Sequence, residues 1–88
     1  MSIYRFPEIL DKPSSIHDQI MKLHEELDEI EEAFLSGDYE QAGVECWNLN
    51  HATETLSRML TDDEERARGW IQQTVEDNSE RGYYKAVD

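Results

Sequence analysis

The chain has 88 residues, with 21 acidic side chains, 8 basic side chains and a formal net charge of −13. A single domain of 10.3 kDa has a small core, which usually needs a bound metal or oligomerisation to become stable. The charge excludes a binder of nucleic acid polymers, because no basic patch is present to release counterions. The single cysteine excludes an internal disulfide. The absence of a long apolar run or a signal-peptide pattern predicts a cytoplasmic protein with no membrane partner.

Residues 1–13 precede the first periodic segment. They contain Pro7 and Pro13 among scattered apolar side chains, and this pattern predicts an extended N-terminal arm that docks on another surface.

The first helix is predicted to begin at Ser14 or Ser15, which are good N-caps directly after Pro13. Apolar residues then recur at every third or fourth position and form one stripe, which is typical of a bundle helix. The members of this stripe are Ile16, Ile20, Leu23, Leu27, Ile30 and Phe34. Gly37 suits the left-handed position that ends such a helix.

Two further helices are predicted. The second begins at Asp38, with Gln41 in the capping-box position, and its main apolar face consists of Ala42, Leu49, Ala52, Leu56 and Leu60. A weaker patch on its opposite side contains Val44, Trp47 and His51, and we expect a second copy of the chain to cover it. Thr61 to Glu64 resembles another capping box and opens a third helix, whose inward residues are predicted to be Ala67, Trp70, Ile71, Thr74 and Val75.

The predicted fold class is therefore all-α. A helical hairpin plus a third helix would make one domain over residues 14–80, followed by an aromatic tail over residues 81–88. Such a chain is expected to complete a four-helix-type bundle by oligomerisation.

The acidic residues are concentrated in one segment. Residues 14–65 contain 15 acidic and 2 basic side chains, so this segment carries the whole excess of negative charge. Most of these acids are expected to lie on solvated helix faces. Examples on the first predicted helix are Glu25, Asp28, Glu31 and Glu32.

Three acids do not fit a solvated face. Glu45 lies about 40° from Leu49 around the second helix and so falls within its apolar stripe. Glu26 and Glu29 are neighbours on the first helix, and Glu26 borders its stripe. A buried carboxylate needs a cation or a hydrogen-bond donor. Oxygen ligands without imidazole or thiolate favour Mg²⁺ or Mn²⁺, and such a site implies a phosphorylated substrate.

The acid pattern resembles that of a known enzyme family. Glu26-x-x-Glu29, fifteen intervening residues and then Glu45-x-x-Asn48 are similar to the paired acidic motifs of the all-α MazG-like nucleotide pyrophosphohydrolases. The closing Asn78-x-x-Arg81-Gly82-Tyr83-Tyr84 resembles the tail of small phage and prophage members, and the likeness covers about residues 14–84.

The resemblance implies a helical homodimer or homotetramer that hydrolyses nucleoside triphosphates to monophosphate and pyrophosphate. Glu26, Glu29, Glu45 and Asn48 would be its catalytic and Mg²⁺-binding residues, with Mn²⁺ as an alternative ion. A phage-encoded member would act in the cytoplasm of a bacterial host.

The substrate-binding residues implied by the resemblance are Asn78, Arg81 and Tyr83. From the residues alone, Arg81 fits a phosphate contact or a surface position at a helix end, and Asn78 fits a nucleotide contact or a helix cap. Tyr83 fits base stacking or packing against the bundle.

Asn48 departs from the family pattern, which has Asp at this position. It is compatible with weaker coordination, with one metal ion fewer, or with a substitution made to disable the chain. Three functional hypotheses follow: an active pyrophosphohydrolase, a nucleotide-binding protein without turnover, and an acidic decoy that occupies a nucleic-acid-binding surface.

Overall fold

The computed structural model describes residues 1–85, and the regular structure in that range is entirely helical. Helix α1 spans Ile16–Leu35, α2 spans Tyr39–Leu60 and α3 spans Glu64–Glu80. The predicted all-α class is confirmed. Residues 86–88 of the predicted tail lie outside the described residues. Within residues 1–85, no helix is both long and apolar enough to cross a membrane.

The ends of α1 and α2 are set by local chemistry. The side chain of Ser15 accepts a hydrogen bond from the backbone N–H of Asp18 at 3.0 Å and caps α1. Gly37 has a φ of 80°, which a glycine adopts without steric strain, and so it turns the chain out of α1. Asp38 then caps α2 by accepting a hydrogen bond from the backbone N–H of Gln41 at 3.1 Å. The predicted caps at these positions are confirmed.

The predicted capping residue of α3 was wrong. Asp63 rather than Thr61 is the N-cap, because its carboxylate accepts from the backbone N–H groups of Glu65 and Arg66. Thr61 ends α2 instead, and its hydroxyl accepts a hydrogen bond from the backbone N–H of Asp63. An Asp directly before the helix satisfies its free N–H groups and displaces the more distant Thr.

Helices α1 and α2 pack against each other as an antiparallel hairpin. The buried residues in their contact are mainly small or polar: Gln19, Glu26 and Ala33 on α1, and Glu45 and Thr55 on α2. The Gln19 amide donates to the backbone oxygen of Ala52 at 2.8 Å and joins the two helices. The most buried positions of this contact surface, named here the seam, are therefore small or polar, and half-buried leucines such as Leu23 and Leu49 flank them.

The N-terminal arm, residues 1–13, is held against α2 by charged side chains. The carboxylate of Glu54 accepts hydrogen bonds from the backbone N–H groups of Arg5 at 2.9 Å and Phe6 at 2.8 Å. The Arg58 guanidinium donates to the backbone oxygen of Phe6 at 3.0 Å and lies over the Tyr4 ring, 4.3 Å from its centroid. An arm without regular structure is thus fixed through its backbone.

The arm contacts part of the second face of α2. The Phe6 ring stacks on His51 with centroids 4.6 Å apart, and the Arg5 guanidinium lies 4.9 Å from the centroid of the Trp47 ring. A segment of the same chain therefore contacts two of the three residues in this patch, but Trp47 is still 50 % exposed, and its coverage by a second copy stays a prediction. Val44 remains 55 % exposed.

Helix α3 does not cover the hairpin. Of its predicted inward residues only Ala67 is buried, whereas Trp70 is 38 %, Ile71 49 % and Val75 50 % exposed. The α1 stripe is also open, with Leu27 54 % exposed. The inward orientation predicted for α3 is therefore wrong for a single chain. The radius of gyration of 15.3 Å exceeds the value of about 12 Å expected for a compact chain of this length.

Replacing Glu54 by alanine is expected to release the arm and lower the free energy of unfolding by about 1–2 kcal/mol, because two backbone donors lose a charged acceptor. Urea unfolding measures the stability, and hydrogen exchange at the amides of Arg5 and Phe6 measures the release. The control, Glu31→Ala, removes an exposed acid from α1. Equal stability and equal amide exchange in the two variants would show that Glu54 does not anchor the arm.

Candidate metal centre

Three carboxylates converge on the seam. Glu26 and Glu29 come from successive turns of α1, and Glu45 comes from the facing stretch of α2. One carboxylate oxygen from each residue can be chosen so that all three lie within 4.8 Å of one another. The structure thus brings together the three acids that the sequence singled out, and this group is named here the carboxylate cluster.

The cluster is largely buried and short of positive charge. Glu26 is 7 % exposed and Glu45 is 9 % exposed, whereas Glu29 faces solvent. Lys22 lies 3.4 Å from one oxygen of Glu26, but half of the lysine side chain is exposed, so the ion pair is weak. The other oxygen of Glu26, Oε2, is buried without a hydrogen-bond partner. A buried carboxylate oxygen in this state favours a bound cation.

Two amides hold Glu45 in place. Gln41 donates to Oε1 of Glu45 at 2.6 Å, and Asn48 donates to Oε2 at 3.3 Å. Asn48 therefore contributes a donor to the cluster, where an aspartate would add a fourth negative charge. Rotation of its amide would present the carbonyl oxygen instead.

The pKa values of Glu29 and Glu45 are shifted in opposite directions. A hydrogen bond with Glu45 raises the pKa of Glu29, and the negative charge of Glu26 raises it further. The same hydrogen bond lowers the pKa of Glu45, together with the hydrogen bonds from Asn48 and Gln41. Glu29 is therefore the first of the two to take up a proton as the pH falls. A divalent cation would reduce the repulsion among the three carboxylates and compete with that proton.

The donor set suits a hard cation. Carboxylate and amide oxygens, with no imidazole or thiolate in the cluster, are typical ligands of Mg²⁺ and Mn²⁺. Ligand oxygens of an octahedral Mg²⁺ are about 3.0 Å apart when adjacent and about 4.2 Å apart when opposite, so the three side chains would have to move closer together to bind one ion.

Two cavities adjoin the cluster. One of about 240 Å³ is bordered by Glu26, Lys22 and Asn48, and one of about 420 Å³ is bordered by Glu29 and Glu45. An ion at the cluster would keep coordination positions open to water and phosphate oxygens, as an ion that acts on a substrate requires.

The three predicted substrate-binding residues lie elsewhere. Asn78 and Arg81 are at the end of α3, where the backbone N–H of Tyr83 donates to the backbone oxygen of Asn78 at 3.0 Å. The Arg81 guanidinium lies 5.9 Å from the centroid of the Tyr83 ring. None of the three borders either cavity beside the cluster. Within one chain they form the C-terminal end of α3, so contact with a substrate at the cluster would require a second chain.

Sequence reasoning missed several residues near the cluster. Gln41 was assigned to a cap, yet its side chain supports Glu45 one turn along α2. Its position four residues before Glu45 was the available signal. Ile9 and Pro13 border the smaller cavity, and no sequence pattern relates them to the acids.

Replacing Glu29 by glutamine is expected to raise the melting temperature at neutral pH without divalent ions, because an amide keeps a donor for Glu45 and removes a charge. Since the pKa of Glu29 is raised in the fold, the wild type gains stability as the pH falls through that pKa. The difference in melting temperature between the variant and the wild type therefore becomes smaller at acidic pH. The variant is expected to bind Mn²⁺ ~10-fold or more weakly. Thermal unfolding at acidic and neutral pH and electron paramagnetic resonance of Mn²⁺ measure the two effects.

Glu31→Gln is the matched control, since it removes an exposed α1 acid outside the cluster. If both variants have the same stability and the same Mn²⁺ affinity, Glu29 neither repels the other carboxylates of the cluster nor binds the metal.

Comparison with known proteins does not identify a family for this chain. No protein-family model matches the sequence, and no curated protein or solved structure matches it at a significant level. The function of the cluster therefore has to be argued from the residues and their arrangement.

Proposed function

We propose that this chain is a Mg²⁺-dependent nucleoside triphosphate pyrophosphohydrolase of the MazG-like type. The observation that carries the proposal is the convergence of Glu26, Glu29 and Glu45 on the seam, with one buried carboxylate oxygen left unpartnered. The order and spacing of these acids resemble the family motif, and the two open cavities supply room for a substrate.

In the reaction, water attacks a phosphorus atom, one P–O bond breaks, and a nucleoside monophosphate and pyrophosphate leave. A bound Mg²⁺ would neutralise phosphate charge and make the attacking water more acidic. Glu45 is fixed by Gln41 and Asn48, and Glu26 is buried with one oxygen unpartnered, so both are suited to holding an ion. Glu29 is exposed, and a carboxylate oxygen of its side chain that does not bind the ion can accept the proton of the attacking water.

The charge of the protein supports a metal-dependent mechanism. A chain with a net charge of −13 repels a nucleoside triphosphate, and the buried acids of the cluster would repel its phosphates most strongly. A divalent ion reverses the sign of the local field and allows phosphate to approach.

A second candidate function is nucleotide binding without turnover. Asn48 favours it, because its amide donates to Glu45 at 3.3 Å where an aspartate would strengthen metal binding. The third hypothesis, an acidic decoy, requires outward-facing carboxylates, and the burial of Glu26 and Glu45 does not support it.

We also propose that the working unit is a homodimer or homotetramer that completes a four-helix-type bundle in the cytoplasm. The accessible surface of one chain is 7040 Å², whereas a compact protein of this mass has about 5,400 Å². The excess includes the apolar side chains of α1 and α3. Two chains could together cover about 3,000 Å², which lies within the range of permanent dimers. Oligomerisation would also be the route by which Asn78, Arg81 and Tyr83 reach the cluster of another chain.

The activity test is incubation with each ribonucleoside and deoxyribonucleoside triphosphate plus Mg²⁺, with measurement of pyrophosphate. Wild-type protein is expected to release pyrophosphate, and Glu45→Gln to lower the rate by ~10-fold or more, because a buried ligand loses its charge. Asn48→Asp is expected to raise the rate. Glu31→Gln, the exposed control, should leave it unchanged.

Absence of pyrophosphate with both the wild type and Asn48→Asp would contradict the catalytic proposal. A rise in melting temperature with nucleotide and Mg²⁺, without product, would then support nucleotide binding without turnover. No thermal shift with any nucleotide would contradict both functions.

The oligomer is tested by light scattering coupled to size-exclusion chromatography. The expected mass is two or four times 10.3 kDa at micromolar concentration. Ile71→Glu places a charge on the exposed apolar face of α3 and should produce monomers, whereas Gln72→Glu, one residue along, should not. A monomeric wild type would contradict this part of the proposal.

A further inference from the structure

Within the part of the chain that the structure describes, helix α3 meets the other elements near its first turn. Ala67 is 2 % exposed and Glu64 is half-buried, whereas every residue from 69 to 77 is exposed. Side-chain contacts of that exposed part, such as the hydrogen bond from Gln73 to Asp77 at 2.9 Å, lie within the helix. Helix α3 therefore projects from the hairpin into solvent.

The connection between α2 and α3 is short and lies at the surface. It consists of Thr61, Asp62 and Asp63, and both aspartates are exposed. A few residues at the ends of helices can absorb a change in backbone angles and act as a hinge. Since α3 has 17 residues and is about 25 Å long, a tilt of about 20° at this connection would move its far end by about 9 Å. The direction of α3 therefore depends on what holds its first turn.

The N-terminal arm joins the first turn of α3 to α2. The backbone N–H of Ile3 donates to Oε1 of Glu64 at 2.6 Å, at the start of α3. Two residues further along the arm, the carboxylate of Glu54 on α2 accepts from the backbone N–H groups of Arg5 and Phe6. One short segment without regular structure is thus bound to both helices on either side of the connection.

The residue between these two attachments is also fixed. The Tyr4 ring lies under the Arg58 guanidinium, and its hydroxyl shares a hydrogen bond with the hydroxyl of Ser57 at 3.0 Å. Tyr4 directly follows Ile3, so the donor of the α3 contact is held in place by α2. The hydrogen bond from Ile3 lowers the pKa of Glu64, as expected for an ionised carboxylate that accepts from a backbone N–H.

We propose that the N-terminal arm is a strap that fixes the direction in which α3 leaves the hairpin. When the arm is docked on α2, Ile3 holds Glu64 and with it the first turn of α3. When the arm is released, α3 is free to turn about Thr61 to Asp63. Neither a metal ion nor a nucleotide takes part in this arrangement, so it is tested separately from the proposed function.

The strap controls which surface the chain presents. The projecting part of α3 carries the exposed apolar side chains of Trp70, Ile71 and Val75. Docking of the arm therefore sets where this apolar face lies relative to α1 and α2, and release of the arm would redirect it.

The direction of α3 is measured by double electron–electron resonance in the complete chain. One spin label is attached to Cys46, the only cysteine, which is exposed on α2, and the second to Glu76→Cys on the exposed part of α3. The chains also carry Ile71→Glu, so that a second chain does not hold α3, and labelled chains are diluted with unlabelled ones. This parent is expected to give one narrow distribution of distances.

Glu54→Ala releases the arm from α2 without changing α3. It is expected to widen the distribution by about 6 Å, since a tilt of about 20° acts over the about 18 Å between the start of α3 and the label. Glu64→Ala removes the α3 end of the strap and should have the same effect.

The matched controls remove acids that do not contact the arm. Glu31→Ala changes an exposed residue of α1, and Glu65→Ala, like Glu64→Ala, removes an acid from the first turn of α3. Both should keep the narrow distribution. Circular dichroism with unchanged helix content shows that each variant is folded.

The result for Glu54→Ala decides the proposal. A narrow distribution in this variant would overturn it, even if Glu64→Ala widens the distribution, because Glu64 would then act within α3 alone. A parent that already gives a wide distribution, or controls that widen it as much as Glu54→Ala does, would also overturn it. Widening in Glu54→Ala and Glu64→Ala but in neither control would support the strap.

Discussion

Electrostatic repulsion among Glu26, Glu29 and Glu45 is the constraint on which the rest of the molecule depends. Two helices of a small domain usually bury their apolar stripes, but the most buried positions between α1 and α2 are carboxylates, an amide and small side chains, and leucines lie at their edge. A hydrogen bond with Glu45 and the negative charge of Glu26 raise the pKa of Glu29, and a divalent ion would reduce the repulsion. Apolar residues such as Leu27 remain 54 % exposed outside this contact, and the proposed second chain would cover them.

The acidic residues of this chain have distinct roles. Glu54 and Glu64 accept hydrogen bonds from the backbone of the N-terminal arm, and Asp38 and Asp63 cap helices. The three acids of the carboxylate cluster differ from these, because their carboxylates face each other rather than backbone N–H donors. The arm then encloses one side of the cluster, so a segment without regular structure shapes the space that a substrate would enter.

Features that depend on neighbouring residues could be predicted from the sequence. Ser15 and Asp38 each cap a helix through an N–H group three residues away, and the position of Glu45 around α2 followed from helical geometry. The start of α3 was misassigned because Thr61 and Asp63 are both residue types that cap helices. Asp63 is the cap because its carboxylate accepts from the first free N–H groups of α3. The exposure of Trp70 could not be foreseen, because periodicity shows which face is apolar but not which molecule covers it. The docking of the arm depends on backbone N–H groups, which every residue except proline has, so no sequence pattern marks it.

The central claim is that the three seam carboxylates form one divalent metal site. Anomalous diffraction from crystals grown with Mn²⁺ tests it most directly. The account predicts one strong peak bound by oxygens of Glu26, Glu29 and Glu45, with distances of about 2.0–2.3 Å. Mn²⁺ bound only by exposed acids such as Glu31 and Glu32, with the carboxylate cluster still joined by its hydrogen bonds, would contradict it.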